Sequence, residues 1–468
     1  MHSGDLSQKN TLYKEGLLPK NFQIAGFAHS KSSVEAIRKL VDPYVVNTLR
    51  DEHEKQLYKE FWKIVTYNSG DSQSDKDLAP VTDIVNKFET GKKKGHRLVY
   101  FALPAYLFAK TAAAVKTTLY SKTGWTRLVI EKPFGKDSES SKELSDALSL
   151  IWTEKEIYRI DHYLGKEMVQ NILALRFGNR QLEPTWNNEH IANVEVLFKE
   201  PFGTMGRGVY FDEYGMIRDV VQNHLLQVLA LIAMERPEAN DAEKIRDEKL
   251  YLLKHMKDLA MEDIVLGQYV GNPKGVGDAT KGYTEDDTVK DKNSTTATYS
   301  LVTLHIDNDR WRGVPFFIRS GKATDESRVE VRVQYKPLAE DLFNGQAKRD
   351  MTIIRIQPNE AVYQRLNIKR PGMSNELIET ELDLTYATRF YNAYLPDAYE
   401  RLLLDVFNGE QANFVRTDEL SEAWRVFTPA LHTIEKDKKM PVKYVFGAQS
   451  FKEADDLEAK YGLIRENN

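Results

Sequence analysis

The densest gathering of chemically capable side chains lies in residues 157 to 180, IYRIDHYLGKEMVQNILALRFGNR. An apolar strand end runs there into Asp161, His162, Tyr163 and Lys166. A helix follows, whose apolar Met168, Ile172, Leu173 and Leu175 fall near one face. Arg159, His162 and Lys166 are cationic or can become so. Gly165 permits close backbone approach where the helix begins, beside free N–H groups and the positive end of the helix dipole. Such a combination suits a phosphate or sugar-phosphate ligand. It equally describes a solvated helix start with one satisfied histidine, and the local pattern leaves both readings open.

A second pair, Asp219 and His224, lies in DEYGMIRDVVQNHLLQVLALIAME. Five residues subtend about 140° on an α-helix, so the two do not fully share a face, although both can border one cleft. The apolar surroundings also suit a core histidine. Lys132 follows the apolar run TRLVIE, at a strand end beside a crevice or simply on the surface before a turn. Together these are the parts of a hydride-transfer site, in which a base takes a hydroxyl proton while hydride leaves carbon. An imidazole with an unperturbed pKa of ~6.5 suits that base, and a carboxylate such as Asp161 can fix its tautomer. A metal centre built from Asp161, His162 and His224 is disfavoured, because no spacing such as His-x-x-x-His occurs.

Positioning these groups requires strand ends and helix starts. Strand candidates FQIAGFAH (22 to 29), RLVYFALP (97 to 104) and TRLVIEKP (126 to 133) alternate with the helix-patterned EAIRKLVDPYVV, EKQLYKEFWKIV, AYLFAKTAAAVK and SKELSDALSLIW. This alternation predicts an α/β, doubly wound parallel sheet with its ligand crevice at the carboxyl ends of the strands. From about residue 190 the texture changes to ANVEVLFKE, TTATYSLVTLHI, GVPFFIRSG, RVEVRVQYK, DMTIIRIQP, AVYQRLNIK and ETELDLTY. Their alternation and the tight spacing of the later ones predict an α+β domain with mainly antiparallel neighbours. The glycine-rich 271 to 287 stretch lies between no strand and helix and reads as an exposed loop.

Composition bounds the function classes. The 468 residues hold 65 Lys and Arg against 70 Asp and Glu, a net charge of −5 with no one-sided charge block, so no nucleic-acid partner is expected. The chain lacks cysteine, which excludes thiolate chemistry and fits a reducing compartment. No apolar run reaches membrane-spanning length, and MHSGDLSQKN lacks a signal-peptide build. A cytoplasmic protein without a membrane partner is expected.

RIDHYLGKE, with EKPFG before it and FKEPFG, RDVVQNHLLQ, IRSGKA, IRIQPNEAVY and ELDLTY after it, closely resembles the glucose-6-phosphate dehydrogenase family, in one order over nearly the whole chain. The resemblance implies a Rossmann-type NADP-binding domain over 1–160, incomplete at its N-terminus. It also implies an α+β domain over 161–468, with a large mainly antiparallel sheet, for substrate binding, dimerisation and a structural NADP. The implied reaction is oxidation of glucose 6-phosphate to 6-phosphogluconolactone with reduction of NADP, by a homodimer or homotetramer. His224 would be the general base and Asp161 its orienting carboxylate. His162, Tyr163 and Lys166 would hold the substrate phosphate, Lys132 would lie between sugar and nicotinamide, and Glu200, Asp219, Lys322 and Gln357 would position the sugar phosphate. Catalytic NADP would meet Ser3, Gly4, Asp5, Leu6, His29, Ser30 and Lys132. The structural NADP would meet Lys199, Arg319, Arg328 and Arg332, together with Arg355, Tyr363, Arg365 and Asp383.

The sequence departs from the family at its ends. Relatives open on an apolar strand leading into Gly-x-x-Gly-Asp-Leu, whereas this chain starts Met1-His2-Ser3-Gly4-Asp5-Leu6, and SQKNTLYKEGLLP leaves room for about two helical turns. His29 stands where an arginine usually meets the 2′-phosphate, with Ser30, Lys31 and Ser32 able to compensate. Ser327 replaces an arginine of some relatives, and the chain stops at Asn468, before an aromatic and basic tail. These departures predict weakened coenzyme sites. The alternative they raise is a catalytically weak or silent homologue that keeps sugar-phosphate and subunit binding.

Overall fold

The computed structural model describes residues 11–465. The chain divides into two units: Met1–Gly165, Asn240–Arg246 and Pro396–Ser421 form one, and Lys166–Ala239, Asp247–Leu395 and Glu422–Asn468 the other. This differs from the division at residue 160 read from the sequence. Unit one recruits two distant segments because Leu402, Val406 and Phe414 complete a core with Val129, Tyr158 and Ile160. The Val415 N–H also donates to the Arg159 carbonyl at 3.1 Å. Packing at such separation leaves no local sequence signal.

In unit one, β1 (Ile24–Ala28) pairs in parallel with β2 (Val65–Ser69). Strands β3 (Arg97–Phe101), β4 (Thr126–Ile130) and β5 (Ile157–Arg159) form a second parallel group. The helices between them start where short polar side chains cap orphan N–H groups. Ser33 caps α1 (Val34–Val45), Asp51 caps α2 (Glu52–Lys63), and Ser74 caps α3 (Asp75–Glu89). Helix α4 (Phe108–Thr118) follows, and Asp137 caps α5 (Ser138–Ser149) through a reciprocal box with Ser140. Val41, Val45, Tyr58, Phe61, Trp62 and Val65 pack into one core cluster beneath β1 and β2. Instead of one continuous sheet, two hydrogen-bonded groups are present, and no strand among the described residues joins them. Strand β2 escapes the sequence reading because it follows α2 after a single residue, with no turn signal between.

Unit two is built on a nine-stranded sheet. Its strands are β6 (Ile191–Lys199), β7 (Ile264–Val270), β8 (Tyr299–His305), β9 (Pro315–Gly321), β10 (Arg328–Tyr335), β11 (Met351–Gln357), β12 (Ala361–Lys369), β13 (Leu377–Thr385) and β14 (Val442–Val445). Their order is β13-β12-β11-β10-β6-β9-β8-β7-β14. Only β6–β9 and β7–β14 are parallel, so the expectation of mainly antiparallel neighbours holds. Helix α6 (Glu167–Gly178) precedes the sheet. Helix α7 (Gly208–Met216), a π-helical segment Ile217–Leu225 and α8 (Leu226–Ala233) run consecutively, and every residue of α8 is buried. A buried helix end must satisfy its last carbonyls. Arg176 donates to Leu231 O at 3.0 Å and Met234 O at 2.7 Å, while the Trp311 indole N–H donates to Ala233 O at 2.7 Å. The 271 to 287 loop is not wholly exposed: Tyr283 is buried, its hydroxyl donating to Asp212 at 2.7 Å. Among the described residues no helix is long and apolar enough to cross a membrane.

Candidate active site

In unit one the candidate residues follow the carboxyl ends of parallel strands, where crevices of open α/β sheets form. After β4 comes Glu131, which accepts a hydrogen bond from Tyr100, then Lys132, whose peptide bond to Pro133 is cis. After β5, Asp161 is 3% exposed. Its carboxylate accepts the Tyr163 N–H at 3.0 Å and its carbonyl the Leu164 N–H at 3.0 Å, which closes the tight turn His162–Gly165. A Cβ on Gly165 would lie 2.3 Å from the Ala398 carbonyl oxygen, so glycine is required where this turn meets helix α9 (Ala398–Asn408). The close approach that Gly165 permits is that of the chain's own Ala398 carbonyl. His162, half-buried, stacks on Tyr399 with ring centroids 5.8 Å apart and meets the edge of Tyr163 at 5.0 Å.

Arg159 does not join this group. It is buried and paired with Glu154 at 2.8 Å, so its charge is spent on holding β5 to the preceding turn rather than offered to an anion. His29 and Ser30 are exposed just beyond β1, where the Ser30 carbonyl accepts the Tyr67 hydroxyl at 2.6 Å. Ser3, Gly4, Asp5 and Leu6 lie outside the described residues.

In unit two, Lys166 occupies the N-cap position of α6 without a side-chain capping bond, and its Nζ donates to Gln357 Oε1 at 2.6 Å. Glu200 and Lys322 follow β6 and β9, whose parallel register pairs Lys199 with Gly321 and so brings both strand ends together. Glu200 N–H donates to Gly321 O at 2.9 Å, and Thr324 N–H to Glu200 O at 3.0 Å. Lys322, only 4% exposed, places Nζ 2.5 Å from Glu200 Oε2 and 5.3 Å from the centre of the Phe211 ring.

Asp219 and His224 require a correction to the sequence reading. Residues Ile217–Leu225 are π-helical, and the Leu226 N–H reaches back to the Val221 carbonyl, five residues earlier. With i→i+5 bonding, residues five apart stand nearly one above the other, as i and i+4 do in an α-helix. Asp219 and His224 thus share a face instead of lying about 140° apart, the α-helical value. Periodicity alone could not reveal this, since nothing in the spacing of apolar residues marks the wider turn. Burial and the Asp219 charge together push the Tyr210 phenol well above its ordinary value.

The residues matched to a structural NADP occupy β6 and β9 to β13, which are consecutive in the sheet. They carry buried carboxylates that the sequence reading missed. Arg319 lies 3.1 Å from Glu195 and also pairs with Glu458, while Lys199 lies 2.9 Å from Asp325. Arg332, Arg355 and Arg328 surround the fully buried Glu330 at 2.5, 3.4 and 3.7 Å, and Arg355 donates to the Tyr363 hydroxyl at 2.9 Å. At the sheet's far edge Arg365 pairs with Glu381 at 3.0 Å and Asp383 accepts from Thr385. Burial works against ionised Glu195, but Arg319 and Arg332 override it and hold the carboxyl below its usual range. Glu458 is pushed up by burial despite Arg319. Opposite charges at same-face positions of VEVLFK and RVEVRV are the sequence signal of these pairs.

Parallel strand ends with a lysine and an anion-suited turn, followed by a unit built on a large sheet with buried acid and base groups, define a two-domain nicotinamide-dinucleotide-dependent dehydrogenase. Residues 2–171 match the family model described as glucose-6-phosphate dehydrogenase, NAD binding domain, and residues 173–465 its C-terminal domain. The chain belongs to the glucose-6-phosphate dehydrogenase family. It is 49% identical to glucose-6-phosphate 1-dehydrogenase of Ceratitis capitata over 97% of this chain and 86% of the relative, and 49% identical to that of Drosophila melanogaster over 97% and 87%. A solved structure of glucose-6-phosphate dehydrogenase in complex with glucose 6-phosphate covers 100% of this chain and 96% of its own, at 42% identity and a TM-score of 0.94. The enzyme from Mycobacterium avium covers 98% and 95%, at 28% identity and a TM-score of 0.82.

Proposed function

We infer that the chain oxidises D-glucose 6-phosphate to 6-phospho-D-glucono-1,5-lactone and reduces NADP. The observation that carries this reading is the 49% identity over 97% of the chain to enzymes named for that reaction. A bound nicotinamide coenzyme would supply the acceptor for the hydride of C1. The chain's own residues do the rest: His224 removes the proton of the C1 hydroxyl so that the ring carbon becomes a lactone carbonyl, and Asp161 is the carboxylate partner of that base. His162, Tyr163 and Lys166 bind the phosphate, with Gln357 orienting Lys166. Glu200, Lys322 and Asp219 position the sugar, and Lys132 serves both sugar and coenzyme.

For NADP over NAD, the proposed readers of the 2′-phosphate are His29 and Ser30, supported by Lys31 and Ser32; all four are exposed beyond β1, which fits an anion ligand. Ser3, Gly4, Asp5 and Leu6 are proposed to meet the catalytic NADP. A second NADP is proposed over β9 to β13 beside Lys199. Three guanidiniums gather around the carboxylate of Glu330, with Arg328 also pairing with Glu326 at 2.6 Å and Arg332 with Glu195 at 3.3 Å, and this density of guanidiniums on neighbouring strands supports that reading. A cytoplasmic homodimer or homotetramer completes the proposal.

The experiment is glucose 6-phosphate-dependent NADP reduction by the purified protein, with H224N alongside. Turnover in the parent and a loss of about 10²- to 10⁴-fold in H224N are expected. An inactive parent, or an H224N variant as fast as the parent, would sink the reading.

A further inference from the structure

A nine-residue π-helical segment is unusual, because the wider turn gives poorer packing along its axis than an α-helix and normally survives only as a single turn. Something must hold residues 217–225 in it. The side chain of Asn223 is placed to do so. Its Nδ2 donates to the Arg218 carbonyl at 2.8 Å, and its Oδ1 accepts the His224 N–H at 2.7 Å. The carboxamide therefore brackets the segment from the residue before Asp219 to the peptide of His224. Arg218 is itself fixed, with its guanidinium 2.7 Å from Glu435. Asparagine is disfavoured inside α-helices because its amide competes for backbone groups. Here that competition falls on the two backbone groups that flank the Asp219–His224 pair.

We propose that Asn223 is a positioning residue for the reaction: its carboxamide holds the wider turn and thereby sets Asp219 and His224 on one face. This rests on His224 being the base. Relaxing the segment to α-helical winding would turn the two side chains apart by about 140°, with the backbone otherwise continuous.

The test compares N223A and N223D with the parent, and with H224N, in crystal structures, thermal midpoints and pH–rate profiles. N223D keeps an acceptor for the His224 N–H but loses the donor to Arg218 O, so it serves if N223A folds poorly. Expected for N223A are α-helical i→i+4 bonding across 217–225 and a fall in kcat of about 10- to 100-fold. The acid limb of its kcat/KM profile should move, and N223D should fall between it and the parent. A thermal midpoint near the parent's separates this loss from general unfolding. An N223A structure that keeps i→i+5 bonding overturns the proposal, and so does α-helical winding with parental kcat and an unmoved acid limb. If H224N alone keeps parental turnover, the base assignment fails, and the winding seen in N223A still decides whether Asn223 holds the segment.

Discussion

Lys166 Nζ donates to Gln357 Oε1 at 2.6 Å, joining residues 191 positions apart at the start of α6 and the end of β11. An amide carries no charge, so this bond orients the ammonium without cancelling its charge. Removing that charge by K166M should lower kcat/KM for glucose 6-phosphate about 10- to 100-fold, the value of one charge-assisted hydrogen bond. Q357L should raise KM about 3- to 10-fold with kcat near the parent's, as expected for a group acting through the lysine. Steady-state kinetics with glucose and glucose 6-phosphate side by side checks both. An unchanged preference for the phosphorylated sugar in K166M would refute the assignment.

Buried Lys322 and half-buried Glu200 form an ion pair whose members depend on each other. E200Q leaves the Lys322 ammonium buried without its carboxylate, and a loss of about 3 kcal/mol in folding stability is expected. In E200Q/K322M the uncompensated charge is gone, and most of that loss should return. Urea midpoints of the two single variants and the double variant give the coupling; strict additivity would mean that the pair does not act as one.

Glu195 ties the same sheet to pH. Its carboxyl is held below the usual range by Arg319 and Arg332 against the opposing effect of burial. A carboxyl with a depressed folded pKa adds stability above its unfolded pKa and loses it as pH falls through the folded one. The parent should therefore lose stability below the ordinary carboxylate range. E195Q should be less stable near neutrality, by about 3 kcal/mol, with the gap closing as pH falls. Denaturant midpoints from neutral to acid pH test this. A gap that stays constant with pH contradicts it.

Arg176 is a structural rather than a ligand-binding arginine. Burial pulls its guanidinium below the ordinary value, yet it is retained because it satisfies the Leu231 and Met234 carbonyls at the end of α8. R176M should cost about 2–4 kcal/mol by leaving both carbonyls unmet. A thermal midpoint within a degree of the parent's would disprove this role.

Much of the architecture was legible because it depends on local periodicity. The strands at 97–101 and 126–130 and the antiparallel run from β10 to β13 follow from runs and alternation that any register preserves. Strand β2 was hidden by its junction with α2, and β7 and β14 also went unread. At the sites, the need for glycine at 165 comes from the Ala398 carbonyl, which no local pattern shows, and Arg159 pairs with Glu154 because a charged residue on a short buried strand needs a nearby partner more than a distant ligand.

By itself the sequence determined the family, the parallel and antiparallel halves, and the identities of the groups available for chemistry, since these depend on residue types in a fixed order. Only the tertiary structure decided which charges are already spent and which residues share a face. Arg159 is committed to Glu154 close by, and Arg176 and Arg319 to partners distant in sequence. Asp219 and His224 share a face through a backbone winding that the spacing of apolar residues does not mark. Both outcomes arise from buried groups competing for hydrogen-bond and charge partners across the fold, a competition settled only once the chain has packed.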